Sequence, residues 1–315
     1  MTNHPESKFV LYYYDVAHSH VQKAAILNDI KHMREIQSIY DPETKSFKFD
    51  YEMLNNQMET DISQGLIPFV AFGVIGATAN GMSDDLPTLT KICKKNGASC
   101  IVDAAWSGTF TCNEEFKGYL AGLAEVDFYL MNFSKCGGSG METCIIFMQQ
   151  KTKWMELVRE NMGKGDEKLS PEDSGYLNNL RIGEATKVGL WKLHFMLQTA
   201  GMDGFKAHVS KSVDLAKYIE DLIGADPRFE LVPKRVLALT LFRLVQKVGE
   251  SDEAHEQRNF DLVGKLCEDG RMFVVAGKVS GVYFIRISVQ SSGEKSDYDF
   301  FYKRLVEVCE QNNYF

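Results

Sequence analysis

The sequence predicts an α/β protein: a large domain on a largely parallel sheet, followed by a smaller C-terminal α+β domain. Three observations predict it. Through the first half, short apolar runs alternate with helical patterns, the trace of βα units feeding parallel strands. After Pro171, long amphipathic helical patterns give way to shorter strands. The length of 315 residues also exceeds what one core usually serves, since cores stop growing near roughly 250–300 residues.

In chain order, Phe9–Tyr14 is the first predicted strand, and 19–28 reads as a helix. The stretch Tyr51–Ser63 is a second helix, opened by Asp50 as N-cap and closed by Gly65. Ile67–Val74, 99–102 and 128–131 are short, apolar and bounded by turn or polar residues, as strands buried on both faces should be, and Cys144–Met148 adds a fifth. Leu86–Asn96 reads as the helix between two of them. The segment 162–175 carries Gly163, Gly165 and Pro171 among charges and has no hydrophobic period, so it reads as an exposed loop. Beyond it, 185–200 and 204–222 are helical, with strands at 230–232, 237–244 and 282–289. The expected division is therefore 1–175 for the large domain and 176–315 for connecting helices and the small domain.

A net charge of -8 and the lack of a basic stripe argue against a nucleic-acid partner. The polar start, 1–8, has no apolar stretch of signal-peptide length, and no run approaches the roughly 18 apolar residues of a membrane span, so no membrane partner and a cytoplasmic location are expected. Seven cysteines without a CxxC pair or zinc-ligand spacing read as reduced and mostly buried, and no metal is expected.

Ligands of α/β sheets sit at the carboxyl ends of strands, which directs attention to 15–18, 76–78, Asp103 and 132–135. IVDAAWSG puts Asp103 at one strand end, and MNFSK puts Lys135 just beyond the next. A lysine there can form a Schiff base with an aldehyde cofactor, while an aspartate opposite a pyridine nitrogen keeps that nitrogen protonated. Taken on spacing alone, the same residues also suit a helix cap and a solvated loop lysine.

The wording of GLIPFVAFGVIGAT, IVDAAWSG, DVAHSHVQKA and DPRFEL resembles the pyridoxal-phosphate-dependent group II decarboxylases, which act on DOPA, tryptophan, histidine and tyrosine. The resemblance runs from about Phe9 to about Arg304. It implies a fold-type I architecture, pyridoxal 5'-phosphate as cofactor, and a carboxy-lyase converting an aromatic L-amino acid to its amine and carbon dioxide. It also implies Lys135 as the Schiff-base lysine and Asp103 as the partner of the pyridine nitrogen. His18 matches the ring-stacking histidine, Ala105 the small residue on the other ring face, and Asn132 a residue near the phosphate. A homodimer, or a heterodimer with a relative, is the implied assembly.

The sequence departs from the family pattern in several places. Ser134 and Cys136 stand where the family has histidine and tryptophan beside the lysine, and Val74 replaces a threonine near the cofactor, removing a hydrogen-bond donor. The segment 162–175 contains no tyrosine, although the family's mobile loop carries one as a proton donor; relatives lacking it tend toward oxidative deamination. The family's upstream segment, with a phosphate-binding turn and dimer contacts, is expected to lie outside this chain. These departures motivate an alternative, an inactive paralogue serving as a regulatory subunit of a full-length decarboxylase. A nicotinamide enzyme is disfavoured, because no GxGxxG follows the first strand.

Overall fold

The computed structural model describes residues 5–140, 143–149, 187–233, 235–268 and 270–315. The first part is a six-stranded sheet built from β1 (Phe9–Tyr14), β2 (His32–Ile36), β5 (Ile67–Val74), β6 (Ser99–Asp103), β7 (Phe128–Asn132) and β8 (Cys144–Met148), in the order β2-β1-β5-β6-β7-β8. All neighbours are parallel except β7 and β8. A hairpin of β3 (Ser38–Asp41) and β4 (Ser46–Phe49) stands apart. Helices α1 (His20–Leu27), α2 (Tyr51–Ser63) and α3 (Leu86–Asn96) make the crossovers.

Local chemistry sets the helix ends. Asp50 accepts from the Met53 amide at 2.8 Å and Asp85 from the Thr88 amide at 3.2 Å, so each satisfies a donor of the first turn. Gly97, at φ 74°, ends α3 in the left-handed conformation that glycine adopts without a Cβ penalty. Val10, Tyr12 and Tyr14 alternate along β1 and bury one face with Leu54, Met58 and Leu89 from the helices. The intervening Leu11 and Tyr13 pack with Val21 and Ala25 of α1 on the other face. Burial on both faces is what makes β1 read as a continuous apolar run, whereas β8, expected to be buried likewise, is mostly exposed.

The second part begins with α4 (Lys187–Gly224), broken at Gly201, whose φ of 66° and ψ of 177° are not helical. Four strands follow in the order β11-β12-β10-β9: β9 (Phe229–Leu231), β10 (Leu239–Leu244), β11 (Val275–Val279) and β12 (Val282–Ser288). Helices α5 (Asp252–Glu268) and α6 (Lys295–Gln311) cover this antiparallel sheet. Its second core joins Phe205, Val209 and Ile219 of α4 to Phe242, Ile285 and Leu305. Period-two alternation turns Leu239, Leu241 and Phe284 the other way, into the core of the large sheet.

The predicted α/β architecture is observed, with strands Phe9–Tyr14, Ile67–Val74 and Cys144–Met148 at the expected bounds. The strand expected over 237–244 starts at Leu239, because Leu237 sits at φ 52°, outside strand geometry. The two expected helices, 185–200 and 204–222, form one run hinged at Gly201. The residue boundary expected at 175/176, the loop 162–175 and Tyr176 lie outside the described residues. The cysteines of the chain are free, four of the seven buried and Cys144 exposed.

Candidate active site

Parallel pairing brings the carboxyl ends of β1, β5, β6 and β7 to one edge of the sheet. Val74 is the register partner of Asp103, and Asp103 that of Leu130, so the ends of β5, β6 and β7 lie side by side. Beyond β5 the chain turns through Gly76 at φ 71°. A Cβ there would sit 2.5 Å from the Ser107 Cβ, so only glycine fits beside the loop that follows Asp103.

Asn132 organises the turn that carries Lys135. Its Oδ1 accepts from the Ser134 amide at 2.9 Å, its backbone oxygen accepts from the Lys135 amide at 3.1 Å, and its own amide donates to the Ala105 oxygen at 3.2 Å. The Ser134 hydroxyl accepts from the Thr143 amide at 2.9 Å, tying the turn to the start of β8. Ser134 thus closes the turn. Lys135 is exposed, whereas Cys136 beside it is 2 % exposed, and burial pushes its thiol up to about 11.

Asp103 is largely buried, with 15 % of its side chain exposed. Its Oδ1 accepts from the Ala105 amide at 2.8 Å, and its Oδ2 faces His20 Nε2 at 3.8 Å. Ala105 is buried, 9 % exposed, and its single methyl group leaves the strand end uncrowded. His18 is exposed, and its ring centroid lies 5.2 Å from that of His20. Lys135, Asp103 and His18 all act electrostatically on His20, and Lys135 and Asp103 both act on Cys144. Asp103, Lys135 and His18 therefore surround one end of the sheet.

Lys135 also lines a cavity of ≈ 390 Å³ with Thr78, Trp106, Ser134, Arg286 and Gln290. That volume falls within the range of about 300–1,000 Å³ common for small-molecule sites. Arg286 enters from β12, on the same face as Phe284 and Ser288. Its Nε is buried without a hydrogen-bond partner among the described residues, and burial holds its guanidinium below the usual value. A cationic donor in this condition, beside an amine, favours an anionic ligand group.

Four of the five residues singled out from sequence, Asp103, Ala105, Asn132 and Lys135, are joined through the ends of β6 and β7; His18 reaches them by way of His20. Sequence reasoning missed Arg286, Trp106 and His20. Trp106 lies inside the motif IVDAAWSG and His20 inside DVAHSHVQKA, so both were within reach. Arg286 sits in a short strand of the other sheet, and nothing in the pattern FIRIS separates a cavity arginine from a surface one.

Residues 2–245 match the pyridoxal-dependent decarboxylase conserved domain. Tyrosine decarboxylase 4 of Petroselinum crispum is 28% identical over 294 residues, covering 90% of this chain and 56% of the relative. The 4-hydroxyphenylacetaldehyde synthase of Rhodiola rosea is 27% identical over 311 residues, covering 96% and 61%. Among solved structures, Catharanthus roseus tryptophan decarboxylase in complex with L-tryptophan superposes with a TM-score of 0.83 at 25% identity, covering 98% of this chain and 63% of that one. The chain thus spans between half and two thirds of the length of these proteins. With the family match running over most of the chain, from before β1 to the end of β10, this chain belongs to the pyridoxal-dependent decarboxylase family.

Proposed function

We propose that this chain builds the lysine side of a pyridoxal 5'-phosphate site that converts an aromatic L-amino acid to its amine and carbon dioxide. The carrying observation is the cavity lined at once by Lys135 and by Arg286, whose buried Nε has no partner among the described residues. The residues fit the cofactor: an amine to hold its aldehyde, a carboxylate for its ring nitrogen and unsatisfied donors for anionic groups.

When bound, the cofactor supplies the electron sink that carbon dioxide loss requires. The protein's own residues do the rest. Lys135 Nζ would hold the cofactor, and Asp103, fixed through the Ala105 amide, would keep a proton on the ring nitrogen. His18 and Ala105 would flank the ring, while Asn132 holds the turn from which Lys135 projects. Arg286 holds the substrate carboxylate and Trp106 offers an apolar wall to its ring. We assign the protein to the cytoplasm and to a dimer, formed with a second copy or with a relative. Exposed Ile146, Phe147 and Met148 on β8 support a covered surface there.

Reduction with borohydride in the presence of pyridoxal phosphate, followed by peptide mass analysis, tests the site: label at Lys135 is expected, and label elsewhere or none refutes it. Product analysis with tyrosine, tryptophan and histidine tests the reaction. Amine without ammonia or hydrogen peroxide is expected; aldehyde with both would reassign the chemistry to oxidative deamination.

A further inference from the structure

We infer that His20 is a positioning residue of this site: it ties His18 to Asp103 and, when protonated, competes with the cofactor's ring nitrogen for the Asp103 carboxylate. The inference rests on reading Asp103 and Lys135 as cofactor contacts. Neither the family match nor the sequence pattern gives His20 a role.

The hydrogen bonds fix the arrangement. His20 is the first residue of α1, and its backbone N–H donates to His18 Nδ1 at 3.2 Å, so that His18 nitrogen carries a lone pair. For the 3.1 Å contact between the two Nδ1 atoms to be a hydrogen bond as well, His20 Nδ1 must be the donor, its N–H sharing the single lone pair of His18 Nδ1 with the backbone N–H. With its one neutral-state proton committed there, His20 presents either a bare Nε2 or, as the imidazolium, a second N–H toward Asp103 Oδ2. The separation of 3.8 Å is that of an ion pair rather than a hydrogen bond. Neutral His20 therefore leaves Oδ2 free, whereas the imidazolium draws on it.

Packing keeps the imidazole in place. Its ring lies edge-on to Phe72 of β5, with centroids 6.3 Å apart. The charged groups acting on it are His18 on its own segment, Asp103 at the end of β6 and Lys135 after β7. Burial lowers the His20 imidazole below its ordinary value, the Asp103 carboxylate works against that, and His18 and Lys135 add to it. The switch thus operates on the acid side of neutrality. A protonated cofactor ring nitrogen brings a further positive charge to Asp103, so binding and His20 protonation oppose one another.

The test follows the pyridoxal phosphate dissociation constant of wild type, His20→Ala and His20→Gln from about pH 7.5 down to about pH 5, a range that extends well below the ordinary histidine value of about 6.5. Wild type is expected to lose about tenfold more affinity on acidification than either variant, and His20→Gln to keep the neutral-pH affinity better than His20→Ala, because its amide can still donate to His18. Label at Lys135 with equal pH ratios in all three proteins would overturn the role of His20 alone. No label at Lys135 in wild type would overturn the site reading and this inference with it. Should the variants fail to fold, NMR titration of the His20 ring decides: Asp103→Asn is expected to lower its pKa, and an unchanged value refutes the coupling.

Discussion

The Asn132 backbone oxygen accepts the Lys135 amide at 3.1 Å while its side chain accepts the Ser134 amide at 2.9 Å, so one residue shapes the turn that aims the lysine. Asn132→Ala removes the side-chain acceptor and leaves the strand intact. Cofactor affinity should fall about tenfold, the effect of one well-placed hydrogen bond, with little change in melting temperature. Lys135→Ala should abolish borohydride-trapped label altogether. The two variants separate turn geometry from covalent attachment, and equilibrium binding with mass analysis reads both.

Arg286 has a buried Nε without a partner among the described residues, an arrangement that costs stability unless a ligand offsets it. Arg286→Met should therefore leave the melting temperature unchanged or raise it, while lowering kcat/KM by about 10- to 100-fold, as loss of a charge-assisted contact does. A thermal melt and steady-state kinetics on one preparation give both numbers. A large loss of stability would instead make Arg286 a structural residue and remove it from the site.

How far the sequence foretold this depends on where the signal resides. Asp103 and Lys135 were legible because each follows a short apolar run and lies in a motif that resembles the family's, even though β6 and β7 are only partly buried. The strands β2 (HMREI) and β4 (SFKF) were not, since charged residues interrupt them and their faces are only partly buried. Helices α5 and α6 were missed for a related reason: DEAHEQRNFDLVGKLCE buries only His255, Asn259, Leu262 and Leu266, a thin stripe on a polar helix. Arg286 was invisible because its meaning depends on the packing of the small sheet against the large one, a contact between residues far apart in the chain.

Asp84 is buried, and burial pushes its carboxyl up to about 7, even though the Val74 amide (2.7 Å) and Tyr51 hydroxyl (3.0 Å) donate to it. Its folded value thus lies above the unfolded one of about 3.8. Between these values the native state binds the extra proton, so this group's contribution is full below about pH 4 and is lost as pH rises through about 7. The loss is on the order of 4 kcal/mol as an upper limit, about 1.4 kcal/mol per pH unit of separation. Asp84→Asn cannot ionise, so its stability relative to wild type should rise from about pH 4 to about pH 7 and level off above that in urea titrations. A pH-independent difference would show that Asp84 stays ionised in the fold.

Arg34 and Asp61 close the far side of the sheet, joining β2 to α2. Arg34 Nη2 donates to Oδ1 at 2.7 Å, its Nε reaches both oxygens, and the Tyr12 hydroxyl donates to Oδ2 at 2.9 Å. Asp61 is 1% exposed while Arg34 keeps 28% of its side chain in water, so the two partners are unequal. Arg34→Met leaves a carboxylate buried with only neutral donors, at a cost of about 3 kcal/mol. Asp61→Asn alone removes the charge but keeps an acceptor for Tyr12, and should cost less. In the double variant no buried charge is left unpaired, so its loss should fall short of the sum of the single losses by about 1 kcal/mol or more. Urea unfolding of the four proteins measures that coupling, and strict additivity would mean the pair contributes only as two independent side chains.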